Sequence, residues 1–170
     1  MDACVGLGAN LGDRGRQLEF GLAGLERAGL GPLACSAVWE TEPVDGAAPP
    51  WFWNMAVRFP TPLAPLELLE RLQAIERAAG RRPGPRNAPR ELDLDLLLLD
   101  GLVVDDPRLT LPHPRMWQRR FVLEPLAEIA PEQRDPASGR TVAEICDELR
   151  ARPERVRRLG PLAARAAVPL

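Results

Sequence analysis

Hydrophobic and polar residues change their spacing several times along the chain, and each change predicts a new element. Residues 3–7 form a short apolar run, which predicts a buried first strand. Leu18, Leu22 and Leu25 then recur at helical spacing, which predicts an amphipathic helix over residues 13–28. A stretch rich in glycine and proline follows, so we expect the helix to end there.

The next segments complete an alternating order of strands and helices. Residues 35–40 and 52–59 predict the second and third strands. A second helix is predicted between Pro65, which suits a first helical turn, and Gly80, which suits a C-terminal stop. Residues 92–99 predict the fourth strand. The order β-α-β-β-α-β predicts an α+β fold of the ferredoxin-like kind, an antiparallel sheet with helices on one face.

The last third of the chain predicts a C-terminal hairpin and helices. A tight turn at residues 100–101 joins the fourth strand to a short edge hairpin at residues 103–104. Residues 116–124 predict a short helix, and T-x-x-E at 141–144 is a capping box that begins a last helix. Residues 151–170 have a weak apolar period and predict a tail or short helix. We interpret residues 1–170 as a single domain whose extension, 151–170, has an unknown role.

Two acidic residues stand out in the fourth strand. Because side chains alternate between faces in a strand, Asp93 and Asp95 share one face, with their Cα atoms about 7 Å apart. Carboxylates this close repel each other unless a cation lies between them. Oxygen ligands of this kind suit Mg²⁺. The alternative is a solvated strand face that happens to carry two acids, and the D-x-D pattern alone does not decide between them.

Arginine supplies all the positive charge of the chain, because lysine is absent. Residues 81–90 hold four arginines and three prolines without an apolar period, directly before the two aspartates. A charged run of this kind is usually a solvated loop. Its position also suits a loop that closes over a polyphosphate held by the aspartates.

Aromatic residues and an amide meet at the start of the third strand. Trp51, Phe52 and Trp53 there are most simply explained by packing. Asn54 is more informative, because a buried amide needs partners and the edge of a heterocycle would satisfy its donor and its acceptor together. His113, the single histidine, lies between two prolines, and a lone histidine is usually structural or exposed.

Composition excludes several classes of protein. A formal net charge of −2 gives no reason to expect nucleic-acid or membrane binding. The three cysteines are widely spaced, which predicts neither a disulfide framework nor a zinc site. We find no signal-peptide pattern and no apolar run of the roughly 18 residues that a membrane span needs, so we expect a soluble, cytoplasmic protein.

Five motifs resemble those of the 6-hydroxymethyl-7,8-dihydropterin pyrophosphokinase family of folate biosynthesis, over about residues 5–131. They are G-L-G-A-N-L-G at 6–12, E-T-E-P-V at 40–44, F-W-N at 52–54, P-R-E-L-D-L-D at 89–95 and L-P-H-P-R-M-W-Q-R-R-F-V-L-E-P-L at 111–126. The last two, found in this order, are specific to the family. The resemblance implies transfer of pyrophosphate from MgATP to the pterin hydroxymethyl oxygen, with release of AMP, by a diphosphotransferase that is expected to be a monomer.

The resemblance also implies roles for individual residues. Metal binding, to two Mg²⁺ ions, falls to Asp93 and Asp95, and the catalytic residues are Arg81, Arg90 and Asp95. The implied pterin-binding residues are Thr41, Pro43, Val44, Phe52, Asn54, Arg119 and Phe121. The implied nucleotide-binding residues are Leu69, Gln73, Glu76, Arg90, Leu96, Arg108, Thr110, His113 and Arg119.

The chain departs from the family pattern before the aspartates, and two other functions fit parts of the sequence. Many relatives carry R-W-G-P-R where residues 86–90 read R-N-A-P-R, so the tryptophan that closes over the site is missing. One alternative is a metal-dependent nucleotidyl transferase, which leaves Asn54 unexplained. The other is a ferredoxin-like regulatory domain that binds a small ligand without chemistry, which does not need the paired acids.

Overall fold

The chain alternates strands and helices in the computed structural model, which describes residues 1–42, 51–80 and 91–162. The strands are β1 (Asp2–Ala9), β2 (Ala34–Cys35), β3 (Val38–Thr41), β4 (Phe52–Pro60), β5 (Asp93–Leu99), β6 (Val104–Asp106), β7 (Leu109–Leu111) and β8 (Val156–Gly160). The α-helices are α1 (Arg14–Arg27), α2 (Pro65–Ala78), α3 (Arg120–Ile129) and α4 (Val142–Leu149). Within the described ranges, no helix is long and apolar enough to cross a membrane.

The main sheet is antiparallel in every described pairing. Its strands lie in the order β5-β1-β4-β3-β8, and the short β2 also pairs with β4. The prediction of a mixed fold built on an antiparallel sheet is confirmed. The predicted second strand is divided, because β2 and β3 are separate segments that pair with different parts of β4.

Helices α1 and α2 cover one face of the sheet. The side chain of Asp13 accepts a hydrogen bond from the Arg16 backbone N–H and so caps α1. Close packing of the two helices depends on Gly24, where an added Cβ would lie only 2.6 Å from Cγ2 of Ile75 on α2. Leu18 and Leu72 are fully buried in the core between helices and sheet. The two helices predicted from the spacing of apolar residues therefore form this layer.

A second layer, formed by α3 and α4, covers part of the opposite face. Its core includes Leu97 and Leu98, although neighbours in a regular strand point to opposite faces. The cause is a shift in register between β1 and β5 at Cys4/Val5, which lets both leucines pack against the second layer. The run of four leucines in β5 thus supplies both cores.

The C-terminal third differs from its prediction in three places. The hairpin pairs β6 with β7 in a separate two-stranded sheet and not with β5. The short helix predicted at 116–124 is a 3₁₀ turn at Met116–Gln118 followed by α3. The tail predicted after residue 150 contains β8, which pairs with β3. The capping box at Thr141 and Glu144 is confirmed.

Candidate active site

Glycines of β1 form the floor of the site. Gly8 lies opposite Asn54 of β4 on one side and Asp93 of β5 on the other, and Gly6 lies opposite Asp95. Residues directly opposite each other in a sheet point to the same face. The side chains of Asn54, Asp93 and Asp95 therefore share one face, with no β1 side chain between them. We call this surface, with Thr41, the site face.

The two aspartates occupy the open end of β5. Asp93 and Asp95 are half-buried, whereas Leu94 between them is only 4% exposed. The alternation predicted from the sequence is therefore confirmed. The backbone N–H of Leu94 donates to Oε1 of Glu76 at 2.8 Å, so a buried carboxylate of α2 holds this part of the strand in place.

Asn54 is fixed by a partner on the next strand. Its Nδ2 donates to Oγ1 of Thr41 at 2.8 Å, and both residues are buried. Its Oδ1 points toward β1, because a Cβ added at Gly8 would lie 3.0 Å from that oxygen. Phe52 lies opposite Thr41 and so belongs to the same face. The amide thus has one orientation at the floor of the site.

Arg119 and Phe121 approach this face from the start of α3. The guanidinium carbon of Arg119 lies 5.4 Å from the centroid of the Phe121 ring, within the range of a cation–π contact. A pocket is lined by Thr41, Arg119 and Phe121, together with Gln118 and four residues of the β3 end and the C-terminal segment: Glu42, Glu154, Arg155 and Val156. The structure therefore brings together three of the residues predicted to bind pterin.

His113 is held beside β5. Its backbone N–H donates to the carbonyl of Leu97 at 2.9 Å, and its Nδ1 accepts from the backbone N–H of Arg115 at 3.3 Å. Burial lowers the pKa of His113, and the charges of Arg119 and Arg115 lower it further, while Asp93 opposes them. The imidazole is therefore neutral at pH 7. With Nδ1 accepting, the proton lies on Nε2, which can donate to a ligand.

The residues predicted to bind nucleotide fall into two groups. Glu76 and Leu96 are each 3% exposed and lie inside the protein, whereas Leu69 is half-buried and packs against the helix-side core. Gln73, Arg108 and Thr110 are exposed. The guanidinium of Arg108 lies 3.4 Å from Glu70 and 3.8 Å from Asp106. Strand β7, which carries Thr110, packs against both β5 and α2.

Four predicted site residues lie outside the described residues. They are Pro43, Val44, Arg81 and Arg90, and the R-N-A-P-R segment that departs from the family pattern lies there as well. Their roles stay predictions.

Sequence reasoning missed a charged cluster on the opposite face of the same strands. The Glu40 carboxylate accepts hydrogen bonds from Arg14 and Trp53, each at 3.3 Å, and from Arg157 at 2.7 Å. Burial by itself raises the pKa of Glu40, but the hydrogen bonds from Arg157 and Trp53 and the charges of Arg157 and Arg14 outweigh it, so its pKa lies below the usual value. No local pattern indicates this cluster, because Arg157 is 117 residues from Glu40.

The donor set of the site face suits a hard cation that is shared with a substrate. Among residues 1–42, 51–80 and 91–162, no group of three or more His, Cys, Asp or Glu could hold a metal ion alone. Mg²⁺ usually takes one or two carboxylates and completes its coordination with water and phosphate oxygens. Asp93 and Asp95 fit that requirement.

Known proteins resemble the chain over most of its length. Residues 4–131 match the family described as 7,8-dihydro-6-hydroxymethylpterin-pyrophosphokinase. The 2-amino-4-hydroxy-6-hydroxymethyldihydropteridine pyrophosphokinase of Pseudomonas aeruginosa is 43% identical over 142 residues, which are 83% of this chain and 87% of that protein. The protein of the same name from Bacillus subtilis is 41% identical over 138 residues, 81% of this chain and 83% of that one.

Some relatives are longer. The mitochondrial folate synthesis bifunctional protein of Arabidopsis thaliana is 40% identical over 75% of this chain, which spans only 23% of that protein. The crystal structure of Plasmodium falciparum HPPK-DHPS, wild type with pterin and p-hydroxybenzoate, has a TM-score of 0.64 at 16% identity and covers 86% of this chain and 41% of its own. That likeness supports the fold. The match over residues 4–131 and the two bacterial relatives show that the chain belongs to the 7,8-dihydro-6-hydroxymethylpterin-pyrophosphokinase family.

Proposed function

We propose that the chain transfers pyrophosphate from ATP to the hydroxymethyl oxygen of 6-hydroxymethyl-7,8-dihydropterin, giving the pterin pyrophosphate and AMP in folate biosynthesis. The observation that carries this proposal is the row Asp93–Gly8–Asn54, which places a carboxylate and a fixed amide on one face with only backbone between them. A metal-bound polyphosphate and a polar ring can then lie side by side. We assign the order of β1, β3, β4 and β5 with their two helices to the ferredoxin-like topology.

We assign two Mg²⁺ ions to Asp93 and Asp95. When bound, the ions would neutralise phosphate charge and lower the pKa of the attacking hydroxyl. The half-buried position of both carboxylates supports this role, because partial exclusion of water strengthens their attraction for a cation. The chain itself holds the two oxygen donors at a fixed spacing, since β5 is anchored to Glu76 through Leu94.

The pterin would lie against Asn54 and Thr41. The Asn54 amide reads the polar edge of the ring, and its bond to Thr41 selects the amide orientation before the substrate binds. Phe121 and Phe52 supply aromatic faces for stacking. A buried amide that loses its ring partner would be left unpaired, which gives specificity against analogues lacking that edge. Pro43 and Val44 complete this set in the proposal.

The nucleotide and its phosphates would be held by cationic and polar groups around β5 and β7. Arg81 and Arg90 engage the triphosphate, and neutral His113 donates from Nε2 to a phosphate oxygen. Arg119, beside both His113 and Phe121, lies between the two substrates. The nucleotide set is completed at the surface by Gln73, Arg108 and Thr110. Leu69, Glu76 and Leu96 support it from behind by holding α2 and β5 in place. The proposed enzyme is a single-domain, cytoplasmic monomer.

The experiment that tests the function is to incubate the protein with ATP, Mg²⁺ and the pterin alcohol and to quantify AMP and ADP. AMP formed one-for-one with pterin pyrophosphate supports transfer from the β-phosphorus. ADP as the nucleotide product would contradict the proposal. A nucleotidyl transferase would release inorganic pyrophosphate, and a regulatory domain would release no nucleotide product.

A further inference from the structure

The C-terminal segment adds a wall to the pocket beside the site face. Three lining residues, Thr41, Arg119 and Phe121, belong to the pterin set proposed above. A further part of the lining comes from residues that follow α4, namely Glu154, Arg155 and Val156. The same pocket therefore joins segments more than a hundred residues apart in the sequence.

The register of β8 explains how this wall is placed. Val156 lies directly opposite Thr41 of β3, and Thr41 lies directly opposite Phe52 of β4. The three side chains consequently share the site face. Val156 is half-buried there. Strand β8 thus extends the floor of the site by one strand beyond the residues that bear the family motifs.

A pair of hydrogen bonds fastens the two segments together next to Thr41. The backbone N–H of Glu42 donates to the carbonyl of Arg155 at 3.2 Å. In return, the backbone N–H of Arg155 donates to Oε1 of Glu42 at 3.1 Å. Because a carboxylate accepts the second bond, that bond is charge-assisted and stronger than one between neutral groups. The two bonds hold Glu42, the residue next to Thr41, against the C-terminal segment.

We propose that the C-terminal segment completes the pterin pocket, with Glu42 as a positioning residue for Thr41 and Val156 as part of the pocket wall. This inference rests on the proposed function. It concerns the pterin and not ATP, because β1 and β4 separate β3 from the aspartates of β5. Loosening the Glu42–Arg155 pair moves Thr41 and the end of β3, whereas Asp93 and Asp95 keep their places.

The test compares Glu42→Ala with Glu42→Gln in the full chain. Alanine removes the acceptor for the Arg155 N–H, whereas glutamine keeps an oxygen in its place. We expect Glu42→Ala to raise the KM for the pterin alcohol roughly 3- to 10-fold, the effect of losing one exposed charge-assisted hydrogen bond. The KM for ATP should stay unchanged, and Glu42→Gln should restore most of the pterin affinity. Glu148→Ala is the control, because it removes a surface carboxylate that pairs with the Arg140 guanidinium and is not among the residues that line this pocket.

Val156→Ala tests independently whether Val156 forms part of the pocket. It also provides the test if Glu42→Ala does not fold. We expect a rise of about 3-fold or more in the pterin KM, since two methyl groups leave the pocket wall, with no change for ATP. A pterin KM that is unchanged in these variants would overturn the inference. An equal rise in both KM values would also overturn it, because that pattern indicates a general loss of structure. An unmodified chain that releases no AMP would instead refute the proposed function, and the inference with it.

Discussion

The two faces of the sheet at the ends of β3 and β4 are built in contrasting ways. On the site face, Asn54 and Thr41 make one hydrogen bond to each other, and Asn54 lies opposite Gly8 of β1. On the opposite face, which we call the helix face, Glu40 is bonded to residues from α1, β4 and β8. The site face has its own cross-link farther along β3, where Glu128 of α3 accepts hydrogen bonds from Trp39 and Arg158. The contrast therefore concerns the ends of β3 and β4, where Glu40 is held from three elements and Thr41 and Asn54 bond to each other.

The contrast shows how an open site can still be rigid. Adjacent residues of a strand share a backbone, so Glu40 cannot move without Thr41, nor Trp53 without Asn54. Arg14 also lies 4.7 Å from the centroid of the Trp53 ring and donates to the carbonyl of Trp51, which anchors the start of β4. Bonds on the helix face therefore help to hold the backbone that carries Thr41 and Asn54 without covering the site face.

The largest effect is expected from the site face itself, at Asp95. Asp95→Ala should abolish AMP release, because it removes one of the two carboxylates assigned to the metal ions. The thermal midpoint should stay near that of the parent, since the change removes a half-buried charge and no core volume. AMP assays and thermal unfolding of the same preparation check both statements. An active Asp95→Ala protein would contradict the two-metal assignment.

Gly8→Ala sharpens the claim that glycine keeps the site face open. The added Cβ would lie 3.0 Å from Oδ1 of Asn54 and push the amide from its position. We expect the pterin KM to rise about 10- to 100-fold, because small displacements of positioned groups are costly. Gly31→Ala is the control, since nothing lies within 4 Å of its added Cβ. Equal pterin KM values for the two variants would show that Gly8 has no such role.

Glu40→Gln tests whether the helix face supports the site face. We expect a loss of about 1 kcal/mol in the free energy of unfolding, since these ion pairs are partly exposed, and a rise of a few-fold in the pterin KM. Because folding holds the pKa of Glu40 below its usual value, its ionised form contributes stability that is complete above the unfolded pKa of 4.5 and is lost as the pH falls through the lower, folded pKa.

The pH dependence provides a second readout for the same variant. Thermal unfolding of the parent at a series of acidic pH values should show this loss, and Glu40→Gln should lack that component. A variant whose midpoint falls in parallel with that of the parent at every acidic pH would mean that Glu40 is not coupled to the fold in this way.

The spacing of apolar and polar residues was enough to predict which side chains of one strand or one helix share a face. The common orientation of Asp93 and Asp95 and the apolar side of α1 each depend on residues within a few positions of each other. The placement of β8 and the Glu40–Arg157 pair could not be predicted, because they depend on which segment reaches the sheet edge. The register shift beside Leu97 could not be predicted either, because four consecutive leucines give no alternation that would mark it.

The family motifs carried the residue roles further than spacing could. They indicated Asn54 and Phe121 by resemblance. The structure adds a physical link, because Phe121 lines a pocket with Thr41, and Thr41 accepts a hydrogen bond from Asn54. The backbone pairing of Glu42 with Arg155 lies partly outside the matched residues 4–131, so neither the motifs nor the periodicity could indicate it.

The smallest effect is expected far from both faces, at the start of α4. The Thr141 side chain accepts from the Glu144 backbone N–H at 3.2 Å, and the Glu144 carboxylate accepts from the Thr141 backbone N–H at 2.8 Å. Thr141→Ala should cost about 1 kcal/mol and lower the thermal midpoint by about 2–4 °C, with both KM values unchanged. Thr141→Ala and Glu40→Gln are expected to lose similar stability. Their pterin KM values therefore distinguish an effect of lost stability from an effect of lost positioning. A pterin KM that rises equally in both would mean that any loss of stability loosens the site, and the special role of the helix face would be refuted.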